Sequence, residues 1–379
     1  MAPSVIHAVP IAIVALPFAA AAGLALIESW RIGTLINAGC ATVVFLLTCA
    51  LPWPTTNHLA PFTAFIAMTT SWYGRRDVVA ALQARVLGRR RTQLYHIAFQ
   101  VLLGAVLLEI LVEQPAATWV ALAIAVAGAA TIVGVARSGE TAASRLLLLC
   151  GCGLMLALLG TVLLDIAPAP ATILLVLGYS GVAGLVPLHS WLADAAVEGP
   201  AQSAILVSVL MVNAPLLFFM RLQATVAPVL LVALGLVSLL FGGALLLGRP
   251  EARRATAIGG MAQLGLIECA IGFGSDAAPR LIAMLTLVRA AALQGQHDEP
   301  THFAAVLVLA LLPLFSFYLL AEPAAAISAW LLVPLGVGTL LTSYGLLRGL
   351  PEKTPMRSQS MQLVPVWFEL AVAIGLAVA

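Results

Sequence analysis

The chain has 379 residues, of which 62% are hydrophobic and only 9% charged, and its formal net charge is +2. A soluble domain carries about 25% charged residues, and no soluble fold of this size hides so much apolar surface. A soluble globular protein is therefore excluded and the solvent is a lipid bilayer; the near-neutral charge says little about partners, and no nucleic-acid partner is expected.

The apolar residues fall into long runs. A closed barrel would need short alternating strands, whereas these runs are continuous and rich in Ala and Leu, so they read as membrane-spanning helices. The first covers about 5–27; no basic n-region precedes it, so it reads as a retained helix rather than a cleaved signal peptide. Further runs follow at about 32–51, 58–74, 94–112, 117–136, 146–164, 171–190, 201–222, 225–248, 255–275, 301–321, 325–348 and 361–379. A shorter candidate, Pro279 to Gly295, carries Arg289.

Basic residues set the orientation. Arg31, the cluster Arg75 to Arg91, Arg137 with Arg145, and Arg249 with Arg253 and Arg254 follow alternate runs and share one face, read as cytoplasmic. Arg348, Lys353 and Arg357 reach that face only if the short candidate also crosses. The expectation is an all-α integral membrane protein of about 14 transmembrane helices, with both termini on the outer face of a bacterial inner membrane. It reads as one polytopic domain over 1–379. The polar stretch Arg75 to Gln93 reads as a positive-inside anchor, with a docking surface for a soluble partner or anionic lipid as the alternative, and prolines in "LLPLFSF" (Leu311 to Phe317) and "APL" (Ala214 to Leu216) predict broken helices beside polar cavities. Cys150 and Cys152 are two apart, so a helix points them to different faces, and they read as small core residues rather than metal ligands.

Charge inside hydrocarbon costs roughly 2.5–3.5 kcal/mol on insertion scales, so each ionisable residue at membrane depth is a functional candidate. Glu109, His189, Glu268, Arg289 and Glu369 lie deepest; Arg145, Asp165, Asp194 and Glu198 lie nearer helix ends. Glu268 sits mid-run, and Arg289 is placed to pair with it across a hairpin. Glu109, near the end of its run, is expected to reach the interface. Glu369 suits a proton path or a subunit contact. Lys353 is the only lysine, and it falls in a loop.

The stretch "GLVPLHSWLADAAVEGPAQSAIL" (Gly184 to Leu206) resembles a signature of the antiporter-like proton-translocating family. That family covers membrane subunits of complex I, the membrane arms of group 4 NiFe hydrogenases, and Mrp-type antiporters. Its members read P-[LM]-H-x-W-L-P-D-A-x-x-E-A-P here; Pro187, His189, Trp191, Leu192, Asp194, Ala195, Glu198 and Pro200 match. "TWVALAIAVAG" (Thr118 to Gly128) and "SRLLLLCGCGLMLALLGTVLL" (Ser144 to Leu164) are similar to hydrogenase-type members, and a fainter likeness runs from Ala255 to Glu322. The likeness spans roughly 40–325, leaving 326–379 as C-terminal helices.

The resemblance implies an inverted-repeat fold and proton movement between a glutamate on the fifth helix and a lysine on the seventh. This chain departs from that pattern. The glutamate aligns with Ala123, and the lysine of G-Y-G-T-K-x-G-L aligns with Val182 of "GYSGVAGL". Arg145 aligns with another family lysine, and arginine effectively never deprotonates, so it cannot toggle. His189 can titrate near neutrality or bond to the backbone or Asp194, while Asp194 and Glu198 can cap the helix after Pro200. The implied function is a membrane subunit of a complex I-like or hydrogenase-like respiratory complex with a degenerate proton path and no cofactor of its own. A cation/proton antiporter or inorganic-carbon transporter component, and a purely structural subunit, are the alternatives. Partners would be lipid, other membrane subunits, and protons or cations.

Overall fold

The computed structural model describes residues 3–50, 59–83, 88–112, 114–221, 228–294, 299–349 and 372. Within them the chain folds as helices α1 (Pro3–Ala25), α2 (Trp30–Cys49), α3 (Leu59–Gln83), α4 (Arg89–Leu111), α5 (Pro115–Gly134), α6 (Glu140–Leu163), α7 (Pro168–Val182) and α8 (Ser190–Glu198). There follow α9 (Ala201–Ile205), a π-helical segment (Leu206–Met211), α10 (Asn213–Arg221), α11 (Pro228–Leu246), α12 (Ala252–Gly272), α13 (Ala278–Gln294), α14 (Glu299–Ile327) and α15 (Leu332–Arg348). Among the described residues, nine helical segments are long and apolar enough to cross a membrane.

The helices are not equivalent. The apolar window of α12 lies wholly inside the protein, and the segment Gln202–Arg221 is almost as enclosed, whereas α6 and α15 keep most of theirs on the surface. Leu147, Leu148, Met155, Leu159 and Val162 make one outward face of α6 that only lipid can solvate. The inward face meets α7 through small residues. A Cβ built on Gly178 would stand 2.6 Å from Ala157 N, and one on Gly160 would stand 2.8 Å from the Ala171 carbonyl. Side-chain hydrophobicity does not drive helices together in lipid, so close backbone approach at such residues does.

Two helices end by the same device. At the end of α7, Leu185 N donates to Ser180 O (2.9 Å) and Gly184 takes φ +78°. At the end of α12, Ser275 N donates to Ala270 O (2.9 Å) and Gly274 takes φ +67°. Both are glycine-terminated helix ends, in which a left-handed residue lets a later N–H satisfy an earlier carbonyl.

Irregular backbone at membrane depth persists only where protein groups replace water. In the turn after α7, Trp191 Nε1 donates to Gly181 O (3.1 Å) and Val186 N donates to Ser238 Oγ (3.0 Å). The Val186–Pro187 peptide there is cis. Gln93 Nε2 reaches the carbonyls of Leu24, Ala25 and Ile27 at 3.1–3.2 Å, closing the end of α1. Ser138 Oγ donates to Glu198 O (3.0 Å) at the end of α8, and Arg253 reaches the carbonyls of Val197, Gly199 and Pro200.

One expectation is corrected. α14 runs unbroken through Pro313. Proline lacks an N–H, so the Leu309 carbonyl loses its helical donor; Gln263 Nε2 of α12 supplies one at 2.6 Å. At Pro215 the helix does deform, but the irregularity lies upstream in the π-helical segment, whose last residue, Met211, bears the carbonyl that Pro215 leaves free. The basic linker is largely helical, since α3 extends to Gln83 and α4 begins at Arg89; its Ala, Arg, Leu and Gln favour helix. Cys150 and Cys152 do take different faces of α6, but only Cys150 is a core residue and Cys152 is exposed; Asp165 is exposed in the α6–α7 turn.

Candidate functional site

The candidate residues separate into a half-exposed group and a buried one. The first gathers at the mouth of a cleft of about 230 Å³ between α8, α11 and α12. Asp194 of α8 gives one carboxylate oxygen to Arg145 Nη1 of α6 (2.6 Å) and the other to Arg254 Nη2 of α12 (2.8 Å). Both guanidiniums remain about half exposed, so each pair is worth on the order of 0–1 kcal/mol. His189 sits just before α8, lines the cleft, packs edge-on against Phe241 at 4.9 Å, and has the Pro187 backbone as its polar neighbour. Neither Asp194 nor Glu198 caps the next helix: α9 begins after Pro200 with no side-chain cap, and Ser203 Oγ bonds the Pro200 carbonyl instead. The reason is competition, because two arginines already hold Asp194.

The buried group lies between α4, α7, α10, α12 and α13. Glu109 of α4 is fully buried, not interfacial. The chain ends α4 inside the bundle, where Arg221, the last residue of α10, covers the exposed carbonyls. Its Nη1 donates to Glu109 O (2.9 Å) and Val112 O (2.6 Å), and its Nη2 to Ile110 O. Last-turn carbonyls have no helical donor, and a cation there also meets the negative end of the helix dipole. The guanidinium is committed to the backbone, and the Glu109 carboxylate stands 3.8 Å from Nη1.

Glu268 of α12 is also fully buried, and it accepts a hydrogen bond from Ser180 of α7. It does not pair with Arg289. Arg289 instead donates through Nη2 to the Ser208 carbonyl of the π-helical segment and lies over Gly260 of α12. Asn213 Nδ2 donates to Thr286 Oγ1 (2.6 Å), one turn from Arg289, so the guanidinium and this amide both tie α13 to that deformed helix. π-helical turns recur at functional sites. Tyr179, next to Ser180, stacks on Phe218 with ring centroids 4.1 Å apart and is an electrostatic neighbour of Glu109.

Arg221, Tyr179 and Ser180 escape the sequence reading. Arg221 closes an apolar run and looks like an ordinary interfacial cation; the two hydroxyls look like uncharged filler in "GYSGVAG". Val182 is fully buried and Ala123 half-buried, and a γ-methyl of Val182 faces Gly153 of α6. Glu369 and Lys353 lie outside the described residues. Among the described residues, no group of three His, Cys, Asp or Glu side chains is placed to hold a metal.

With this geometry in view, the likenesses to known proteins are specific. Residues 134–292 match the family model described as NADH:quinone oxidoreductase/Mrp antiporter, transmembrane. The hydrogenase-4 component F homolog of Methylacidiphilum infernorum is 28% identical over 250 residues, covering 56% of this chain and 52% of that protein. The chloroplastic NAD(P)H-quinone oxidoreductase subunit 5 of Ranunculus macranthus is 39% identical over 110 residues, covering 27% of this chain and 15% of that protein. The chain thus spans about half, or less, of the length of these curated relatives.

Three solved structures share the fold. The archaeal membrane-bound sulfane sulfur reductase complex contains a chain of TM-score 0.77 and 16% identity, covering 98% of this chain and 94% of that one. The Mrp complex from Dietzia gives 0.74 and 15%, covering 100% and 95%. Respiratory complex I from Thermus thermophilus gives 0.75 and 19%, covering 97% and 96%. The fold is that of an antiporter-like integral membrane protein. Over residues 134–292 the chain is similar to that family of membrane subunits, and it carries Ala123 and Val182 where the sequence likeness leads one to expect a charged pair.

Proposed function

We propose that the chain is a membrane subunit of a complex I-like or hydrogenase-like respiratory assembly, retaining the antiporter-like scaffold with a weakened proton path. One observation carries the reading: buried, protein-enclosed carboxylates persist at Glu109 and Glu268, whereas valine and alanine occupy the aligned positions of the titrating pair. Electron transfer would belong to partner subunits, since no cofactor motif occurs in this chain. The relatives named for hydrogenase-4 and quinone oxidoreductase support the assembly type.

In this reading the chain is one polytopic domain over 1–379, with a family-like core at about 40–325 and C-terminal helices at 326–379. It crosses a bacterial inner membrane about 14 times as inverted repeats, with residues 1 and 379 on the outer face. Proton movement would draw on Glu268 and Glu109 inside, on His189, Asp194 and Glu198 with Arg145 at the cleft, and on Arg289 and Glu369 as further charged groups. Arg145 and Arg289 act as fixed charges, because guanidinium does not release its proton.

The test is native electrophoresis of detergent-solubilised membranes, with in-gel redox staining. The chain should co-migrate with a quinone-reducing or hydrogen-oxidising activity. A chain that migrates without redox activity, and exchanges Na⁺ or K⁺ for protons in vesicles, would establish the antiporter alternative instead.

A further inference from the structure

On the weakened-path reading above, a proton must cross α7 in a chain without the α7 lysine. Four polar side chains are fully buried in the bundle: Glu109 on α4, Tyr179 and Ser180 on α7, and Glu268 on α12. Their polar atoms are conspicuously under-bonded. Both carboxylate oxygens of Glu109, the Tyr179 hydroxyl and Glu268 Oε2 have no hydrogen-bond partner among the described residues. Leaving one buried polar atom unbonded costs about 1–3 kcal/mol, so such a group persists when water or function compensates.

Ser180 is the informative residue. The family pattern reads Gly-Tyr-Gly-Thr-Lys where this chain reads Gly178-Tyr179-Ser180-Gly181-Val182. The hydroxyl therefore appears two positions before the missing amine, and it bonds Glu268. On a helix, Tyr179 and Ser180 point about 100° apart. Tyr179 accordingly turns to α10, against Phe218 and Phe219, on the side of Glu109, while Ser180 turns to α12. The dipeptide is thus the α7 element between the two carboxylates.

We propose that Tyr179 and Ser180 form a neutral hydroxyl relay between Glu109 and Glu268, replacing the absent lysine. Glu109 releases a proton to Tyr179 Oη, which gives up its own hydrogen through an intervening water to Ser180 Oγ. Ser180 in turn gives its hydrogen to Glu268 Oε1. One proton leaves Glu109 and one arrives on Glu268. Each hydroxyl ends neutral, and rotation of the two O–H groups resets the row. Such a relay has no charged station on α7, so it transmits more slowly than a lysine that holds the proton.

The test uses the full chain, reconstituted in phosphatidylethanolamine–phosphatidylglycerol vesicles with an entrapped pH dye and a potassium diffusion potential. Ser180→Ala and Tyr179→Phe should each slow proton uptake at least about tenfold, the scale of a lost proton-transfer group, while Ser180→Thr stays near wild type. Infrared difference spectra give a readout independent of flux: the carboxyl band that disappears in Glu268→Gln should shift in Ser180→Ala. Wild-type flux that both Ser180→Ala and Tyr179→Phe leave intact overturns the relay while the weakened-path reading stands. Wild-type flux no faster than that of protein-free vesicles overturns both. A carboxyl band that Ser180→Ala leaves in place overturns the Ser180–Glu268 step.

Discussion

Gln263 of α12 donates its side-chain amide at 2.6 Å to the carbonyl of Leu309 on α14, the group whose helical donor Pro313 removes. Replacing Gln263 with Leu leaves that carbonyl buried and unbonded, at a cost of about 1–3 kcal/mol. Pro313→Ala returns the missing N–H, so the double variant should recover most of the loss. Thermal unfolding of the two single variants and the double variant in detergent measures the coupling; additive effects would refute the pairing.

The end of α4 makes a second prediction. Arg221 donates to three carbonyls there, and hydrogen bonds to a charged group are worth about 1.5–3 kcal/mol each when buried. Arg221→Met should therefore lower the unfolding midpoint strongly. Arg221→Lys should be intermediate, because an ammonium has no fork to span three carbonyls. A wild-type midpoint for Arg221→Lys would place the effect in the charge alone, and equal midpoints for Arg221→Lys and Arg221→Met would place it in the guanidinium fork alone.

The α6–α7 contact depends on backbone proximity. A Cβ on Gly178 would lie 2.6 Å from Ala157 N, whereas one on Gly151, elsewhere on α6, has nothing within 4 Å. Gly178→Ala should destabilise by about 1–3 kcal/mol through overpacking. Gly151→Ala should be neutral or stabilising by up to about 1 kcal/mol, since alanine is the better helix former. Retained yield and midpoint in Gly178→Ala would show that the two helices can separate cheaply.

Asp194 tests how much the mouth of the cleft contributes. Its two partners are half exposed, so Asp194→Asn should cost only about 1 kcal/mol in total, and 1 M salt should erase most of the difference. A large loss that persists in high salt would mean the triad is buried in the assembled complex.

Much of the architecture was legible because lipid leaves little choice: apolar runs become helices, and the runs near α5, α6, α11 and α12 fall close to their observed positions. Pairing was less legible. Glu268 is fully buried, yet its partner is the uncharged Ser180 rather than Arg289, and hydropathy says nothing about which face of a helix meets which neighbour. Proline misled for a similar reason. Its effect at Pro313 is absorbed by a glutamine 50 positions away in sequence, a compensation visible only in three dimensions. Glu109 looked interfacial by its place in the run, but α10 closes over the end of α4 and buries it.

The most direct test of the account is the proton conductance of the purified chain before and after Glu268→Gln, a change that keeps the shape and removes the exchangeable carboxyl. Wild type should conduct slowly yet above the leak of protein-free vesicles, and the variant should fall to that leak. A Glu268→Gln protein that folds and conducts as fast as wild type would contradict it.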